Sequence, residues 1–446
     1  MSDTIAAIAT ASGVSSISII RLSGSKACAI AKHIAPKASF RPRYSDLTSL
    51  YTASGELIDH ALVVYFSNPQ SFTGEDIVEF QCHGGIVVAE EILDAVMHHG
   101  ARLAEPGEFS KRAFLNGKID LSKAEAIAKL IEAKSVDAAK ILARQLKGEL
   151  GDFVEESRES LLRALAYSEV MIDYAEDEMP EDILSQLSDQ LEAIVENMTN
   201  IVQSSRRRRG LIEGFRVAII GKPNVGKSSL LNALLSYDRA IVSEIAGTTR
   251  DTIEEQVRIG SHLIRLIDTA GIREAHDQIE RIGVERSMRS VAESDVVIAL
   301  FDGSMALDSE DEKIMAILES NEDKERIVAI NKSDLEKVAD TQVLSPYEPI
   351  EISAKQQFQT LTSVLGKRLD QIGESDDLML ISARQIEAVE RCAEEVALAQ
   401  DPLKRGELEF FSYHLQEAVK HIGTITRPYN NEEILDKMFG EFCLGK

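Results

Sequence analysis

Cysteine is scarce and placed without pattern. The four in this 446-residue chain, Cys28, Cys82, Cys392 and Cys443, have neither the spacing of a zinc site nor the density of a disulfide framework. A reducing cytosol is the compartment they fit. Long apolar runs are missing as well: none approaches the ~18 residues a membrane span needs. No basic residue precedes Arg21, so neither a cleaved signal nor an organelle transit peptide is expected. There is no low-complexity tract, and 44% apolar with 28% charged residues excludes collagen-like and disordered classes. The net charge of -25 opposes non-specific adhesion to phosphate-rich partners. Local basic patches bind nucleic acid even on acidic proteins, so RNA stays open as a substrate.

What is present reads as several domains. One core takes about 100 to 200 residues, so roughly two to four are expected. Residues 1–118 alternate short β-like runs, such as 14–22 and 61–66, with turns and helical stretches, a small α+β pattern. From 119 to about 205 the pattern is helical, with Ala/Leu/Glu/Lys-rich stretches at 121–150, 153–171 and 180–202 and almost no glycine. β-branched runs at 217–220, 263–267, 296–301, 327–330 and 350–352 then alternate with helical stretches. That alternation predicts a parallel sheet with helices on both faces. Beyond about 375 the chain is helical again, yet about 70 residues make a poor core alone. The stretches 119–210 and 375–446 are therefore expected to form one discontinuous helical domain around an α/β insertion at 211–374.

The insertion carries a nucleotide signature. Gly221-Lys222-Pro223-Asn224-Val225-Gly226-Lys227-Ser228 matches G-x-x-x-x-G-K-[ST], after an apolar run and before a helix-forming stretch that opens with Ser229. The glycines let backbone N–H groups converge on phosphates, Lys227 brings charge to the β and γ phosphates, and the Ser228 hydroxyl can ligate Mg2+. A Gly-rich turn can match by chance; three further signals in the right order argue otherwise. Asp268-Thr269-Ala270-Gly271 follows the run 263–267, where the carboxylate can hold Mg2+ through water and the glycine N–H can sense a γ-phosphate. Asn331-Lys332-Ser333-Asp334 follows the run 327–330, and a carboxylate there accepts two hydrogens that guanine has and adenine lacks. Ser353-Ala354-Lys355 ends the next strand and can close over the base. The ligand is GTP.

Between these motifs, Ala246-Gly247-Thr248-Thr249 suits a switch loop, with Thr249 as the Mg2+ ligand that a γ-phosphate orders. The position after Gly271 is Ile272, where many GTPases use a glutamine to orient the attacking water. Isoleucine cannot do this. Catalysis must draw on another group, and the carboxylates of 273–280 are local candidates, or else solvated loop charges.

Further segments extend the pattern along the chain: Asp3-Thr4-Ile5-Ala6-Ala7-Ile8-Ala9-Thr10, Ile20-Arg21-Leu22-Ser23-Gly24, Phe72-Thr73-Gly74-Glu75-Asp76, His83-Gly84-Gly85, Pro106-Gly107-Glu108-Phe109, Ala113-Phe114-Leu115-Asn116 and Cys443-Leu444-Gly445-Lys446. With the nucleotide motifs they resemble the tRNA-modification GTPase family MnmE, also called TrmE, over essentially the whole chain. The resemblance implies an N-terminal α+β folate-binding and dimerisation domain at 1–118, a discontinuous helical domain at 119–210 and 375–446, and an inserted Ras-like P-loop GTPase domain at 211–374. It implies a formyl- or methylene-tetrahydrofolate bound by Arg21, Glu79, Lys118 and Lys446; a carboxylate suits the pterin edge and cations suit the glutamate tail. Taken singly, each is more ordinarily a surface charge.

It further implies K+ activation when two GTPase domains meet. Asn224 and the loop Ser243-Glu244-Ile245-Ala246-Gly247-Thr248 would contact nucleotide and cation, with Asn224, Ser243, Ile245 and Thr248 as K+ ligands and Glu280 placing the attacking water. Cys443 would serve modification near the folate, in a role left open; Gly445 and Lys446 do not suit a prenylation signal, and Lys446 could favour the thiolate. The family's loop after Thr10 is usually rich in Pro, Gly and Arg, and here reads Ala11-Ser12-Gly13-Val14-Ser15-Ser16; Cys82 and Ser243 also depart from its pattern. The run Arg206-Arg207-Arg208-Arg209 can contact RNA phosphates or serve as an exposed linker. His83 reads as structural.

The leading expectation is a cytoplasmic GTPase that acts as a homodimer and, with an FAD- and NADH-dependent partner of the MnmG/GidA type in a heterotetramer, modifies carbon 5 of the wobble uridine of certain tRNAs. The group added is carboxymethylaminomethyl or aminomethyl. The rival is a regulatory GTPase switch in ribosome assembly, which leaves Arg21, Glu79, Lys118 and Cys443 without work.

Overall fold

The computed structural model describes residues 3–11, 13–173, 181–237, 255–267, 288–322, 324–373, 377–427, 432–440, 442 and 445. The chain divides into two compact units, Met1–Ile131 with Gln145–Asp173 and Leu415–Lys446, and Glu132–Arg144 with Tyr174–His414.

The first unit is built on a six-stranded sheet of β1 (Ile5–Ile8), β2 (Ile17–Ser23), β3 (Ser45–Tyr51), β4 (Leu57–Phe66), β5 (Ile77–His83) and β6 (Arg102–Leu103), in the order β3-β4-β5-β2-β1-β6. Only β1 and β6 pair in parallel. Period-two alternation gives the sheet two unlike faces. One carries Ile20, Leu22, Leu50, Val63 and Phe80 against the apolar stripes of α1 (Ala27–Ile34) and α2 (Ile86–His98). On the other, α3 (Glu108–Leu115) sends Phe109 into a smaller core with Ile5, Ala7 and Ala104. The register row Leu47–Leu62–Gln81–Ile19 also lies on this second face, and Leu47 is 72% exposed. The C-terminal helix Glu432–Gly440 returns to this unit, packing Leu435 and Phe439 on Leu121 and Ala124.

The second unit holds a sheet of β7 (Phe215–Ile220), β8 (Glu255–Ile259), β9 (His262–Leu266), β10 (Val296–Asp302), β11 (Glu325–Asn331) and β12 (Ile350–Glu351), ordered β12-β11-β10-β7-β9-β8. The central β10 is buried along its whole length, as a strand covered by helices on both faces must be. The helices Lys227–Tyr237 and Gln359–Gly373 cover one face through Leu230, Leu234, Leu361 and Leu365. Ser309–Glu319 covers the other through Ile314, Ile317 and Leu318. Glu181–Arg207 packs along Ala383–Arg405, so helices from before and after the insertion do meet.

Two sequence expectations need correction. The sheet is not wholly parallel: β8 runs antiparallel to β9 across the turn at Gly260 and Ser261, a short Gly-Ser hairpin link. The stretch 121–150 is not one helix but breaks into Leu121–Glu132, Val136–Lys147 and the start of Glu149–Asp173. Ser135 Oγ accepts the Ala138 N–H at 3.1 Å as a local cap, and Gly148 takes φ +109. Residues 132–144 group with the second sheet: Ser135 Oγ donates to Leu211 O at 3.2 Å, Ser261 Oγ donates to Asp137 at 2.7 Å, and Ile141 packs on the core.

Candidate functional site

The nucleotide motifs among the described residues all lie at one edge of the second sheet. β7, β10, β11 and β12 are parallel, so the loops after Ile220, Asp302, Asn331 and Glu351 emerge together at their C-terminal ends. The phosphate loop leaves β7 with Asn224 at φ +63, a left-handed turn that asparagine tolerates, and Gly226 at φ +104. A Cβ at Gly226 would collide with the carboxamide of Asn331. That carboxamide is the junction of the site. Asn331 is 2% exposed; its Nδ2 donates to Val225 O at 2.7 Å and its Oδ1 accepts the Ala354 N–H at 2.9 Å. One side chain therefore fixes the phosphate loop against the base-side loop 353–355.

Next to it, Lys332 Nζ donates to Asp302 Oδ2 at 2.5 Å, and Asp302 Oδ1 accepts both the N–H and the hydroxyl of Ser304. Burial works to raise the Asp302 carboxyl, but Lys332 and Ser304 outweigh it and hold it below its ordinary value. Sequence reading passes over Asp302, although its place at the end of a central strand is the same signal that marks the other motifs. Ser353 and Ala354 are buried, whereas Asp334 and Lys355 are exposed. A cleft of about 530 Å3 opens beside the base-side loop, lined by Ser229, Asn232, Ala233, Ser236, Ala354, Lys355 and Phe358.

Lys227 Nζ donates to the carbonyls of Gly221 at 2.6 Å and Lys222 at 2.7 Å, and burial pushes its pKa down to about 8. A phosphate is the partner that offsets such desolvation. Ser228 and Ser229 stand in the first turn of Lys227–Tyr237, where backbone N–H groups and the helix dipole favour an anion. An exposed Ser228 beside that anion site fits a Mg2+ ligand. The expectations for Ser243–Thr249, for Asp268, Thr269, Ala270 and Gly271, for Ile272 and Glu280, and for Cys443 and Lys446 lie outside the described residues.

In the first unit Arg21 and Glu79 are register partners across β2 and β5, with Nε donating to Oε1 at 2.8 Å. The Arg21 guanidinium also lies 5.8 Å from the Phe109 ring centre. The same register row reaches Ala7 on β1, and Gly445 lies against the Ile8 carbonyl. Lys118 lays its side chain beside Gly74, whose neighbours Thr73 and Glu75 hydrogen-bond Ser23, two residues along β2 from Arg21. Arg21 and Glu79 are thus in contact, and Lys118 and Gly445 stand beside segments that adjoin theirs. His83 holds Asp59 at 2.8 Å. Cys82 is pushed up to about 11 by burial and by Asp59, burial raises Cys28, and Cys392 is buried, so none of the three is poised as a thiolate.

The arginine run is largely committed to internal partners. Arg206 pairs with Glu390 at 2.6 Å, Arg208 is 5% exposed and donates to Asp377 O at 3.1 Å, and Arg209 pairs with Glu213 at 2.8 Å. A different basic surface emerges instead. No carboxylate occurs between Asp3 and Asp46, while Lys26, Lys32, Lys37, Arg41 and Arg43 in that interval are all exposed. Arg41 lies over the ring of Tyr44 at 5.2 Å, and Tyr44 is 54% exposed. The signal was in the sequence as charge segregation within a chain of net charge -25, not as a run of adjacent arginines. Among the described residues, no cluster of three or more His, Cys, Asp or Glu side chains is arranged to hold a metal, and no helix is long and apolar enough to cross a membrane.

The chain matches the family models described as "MnmE helical domain" over residues 121–443 and "GTP-binding protein TrmE N-terminus" over residues 4–118. It is 68% identical over 446 residues to the tRNA modification GTPase MnmE of Sulfurovum sp., covering 100% of this chain and 99% of that one. It is 57% identical over 444 residues to the tRNA modification GTPase MnmE of Aliarcobacter butzleri, again covering 100% and 99%. Among solved structures, the crystal structure of Era in complex with MgGDPNP and nucleotides of 16S ribosomal RNA matches at 28% identity over 41% of this chain and 66% of that one, with a TM-score of 0.26.

Proposed function

The chain belongs to the tRNA modification GTPase MnmE family and is a GTP hydrolase, and from that premise we propose that it is a K+-activated GTPase serving tRNA wobble-uridine modification. The group added at carbon 5 is carboxymethylaminomethyl or aminomethyl, and its carbon comes from a tetrahydrofolate. The observation that carries this reading is the Arg21–Glu79 contact, on a register row that reaches Ala7, next to the Ile8 carbonyl against which Gly445 lies. A GTPase acting only as a switch has no use for either.

The residues present fit the implied groups. Arg21 and Glu79, with side chains 20% and 14% exposed beside an aromatic ring, offer a cation and a carboxylate that suit a folate's tail and pterin edge. Lys118 and Lys446 add positive charge, and Cys443 stands two residues from Gly445. Bound there, the folate supplies the one-carbon unit. Ser228 with Thr249 would hold Mg2+, and Asn224, Ser243, Ile245 and Thr248 would hold K+, the cation compensating for Ile272. Asn224 suits that task, since it is exposed on the phosphate loop and its carboxamide oxygen is a cation ligand by chemistry. Glu280 would place the attacking water. Asn331, Lys332, Asp334 and the loop 353–355 would hold the guanine.

The partner set follows from the same reading: a homodimer, an FAD- and NADH-dependent MnmG/GidA-type protein in a heterotetramer, and tRNA in the cytoplasm. The exposed apolar pair Leu47 and Leu62 supports a second copy covering that sheet face. The exposed cations of the stretch between Asp3 and Asp46 support contact with RNA phosphates. The domain scheme is an N-terminal domain at 1–118, a helical domain at 119–210 and 375–446, and a G domain at 211–374. The packing of Glu181–Arg207 along Ala383–Arg405 supports its discontinuous part. The test is GTP turnover in K+ against Na+ at equal ionic strength. Turnover is expected to rise selectively in K+ and to collapse in Glu280→Ala; equal rates in both salts overturn the K+ assignment, and a wild-type rate in the variant overturns Glu280.

A further inference from the structure

The phosphate loop contains two lysines, and they are held in opposite ways. Lys227 turns inward onto the loop's own carbonyls. Lys222 sends its side chain into the N-terminus of the helix Ser309–Glu319. Its Nζ lies 2.6 Å from Asp311 Oδ2 and 2.8 Å from Asp308 Oδ2, and the side chain is 10% exposed. Asp311 is fully buried. The two carboxylates are themselves fixed. Asp308 Oδ1 accepts the N–H groups of Glu310 and Asp311 at 2.9 and 3.2 Å, and Asp311 Oδ2 accepts the Asp308 N–H at 3.0 Å, a reciprocal capping box. The helix dipole favours negative charge at this end, and Lys222 in turn holds Asp308 below its ordinary value.

A basic residue inside a phosphate loop invites the reading that it binds phosphate. The geometry points elsewhere. With two carboxylate groups within 2.8 Å of its ammonium, Lys222 is already committed and has little to offer a nucleotide. What it offers is position, because its carbonyl is one of the two that hold Lys227. A continuous line runs from the capped helix through the Lys222 side chain to the loop backbone and the Lys227 ammonium. We infer that Lys222 is a positioning residue, a strut that ties the phosphate loop to the Asp308–Asp311 cap and so sets the affinity of the GTP site without touching the phosphates.

A double-mutant cycle separates strut from ligand. A buried ion pair replaced by apolar residues of similar volume is tolerated, whereas one partner left alone in the interior is not. In the full-length protein, binding of fluorescent GTP and GDP analogues is measured for K222M, D311L, K222M/D311L and K222R. As a strut, K222M and D311L each weaken both nucleotides by at least about tenfold. The double variant then returns to within about threefold of wild type, and K222R keeps most of the affinity because its guanidinium can span the same two carboxylates. In turnover, K222M raises KM by a larger factor than it lowers kcat. The inference is overturned if K222M and K222M/D311L are equally weak while D311L binds like wild type, since phosphate would then need the charge of Lys222 itself. If D311L does not fold, D311N takes its place in the cycle: it keeps the shape of the cap and removes the charge, and the same pattern of coupling or its absence decides.

Discussion

The Lys227 ammonium should make GTP binding depend on pH in a range where ordinary lysines are silent. Burial lowers its pKa to about 8 in the nucleotide-free site, against 10.5 for a free lysine. A triphosphate needs the charged form and raises the pKa on binding, so binding takes up a proton wherever the empty site has lost one. With a pKa of about 8, the ammonium is about 90% charged at pH 7 and about 24% charged at pH 8.5, so affinity falls about fourfold across that interval. At pH 8 the uptake is about half a proton per nucleotide. Calorimetry in buffers of different ionisation heat reads the uptake directly, and fluorescence titration reads the affinity. The phosphate's own second ionisation, near pH 6, is about 90% complete at pH 7 and about 99% complete at pH 8, so it adds little in this window. Zero proton uptake at pH 8 together with a flat affinity from pH 7 to about 8.5 refutes the argument.

Two other consequences concern the first unit. Arg112 is buried against Glu75 and Glu108 and reaches Asp3, so Arg112→Met takes that cation from Glu75 and leaves Glu108 with Arg102, and should cost about 3 kcal/mol in urea unfolding followed by circular dichroism; a loss under about 1 kcal/mol would contradict the burial argument. Burial raises the Glu108 carboxyl, but Arg102 and Arg112 outweigh it, so its pairing stabilises fully above its ordinary value of 4.5 and is lost as pH falls below that through the depressed folded value. On the basic surface, Lys37→Glu, Arg41→Glu and Arg43→Glu combined should weaken tRNA binding and flatten its salt dependence by a slope of about two to three, at unchanged GTP turnover; an unchanged slope removes this surface from the RNA interface.

The nucleotide site was legible wherever chemistry and local order coincide. A phosphate loop must follow a strand and open a helix, and a guanine-reading carboxylate must sit where a parallel strand ends, so Lys227, Asn331 and Ala354 announce themselves by spacing alone. Pairing across distance was not legible. Lys332 and Asp302 stand 30 residues apart and Lys222 and Asp311 stand 89 apart; the two lysines are read only as motif members, and the two carboxylates pass as solvated charges. The arginine run left an RNA contact and an exposed linker open for the converse reason: four adjacent cations look like a patch, yet a helix end sends successive side chains in different directions, and three found partners of their own. The strand β8 escaped notice because Glu255 and Arg258 dilute its apolar alternation, and only the Gly260–Ser261 link marks the hairpin. Motifs thus singled out candidate nucleotide side chains, and the contacts that hold those candidates in place became visible only once the sheet brought the ends of β7 and β10 side by side.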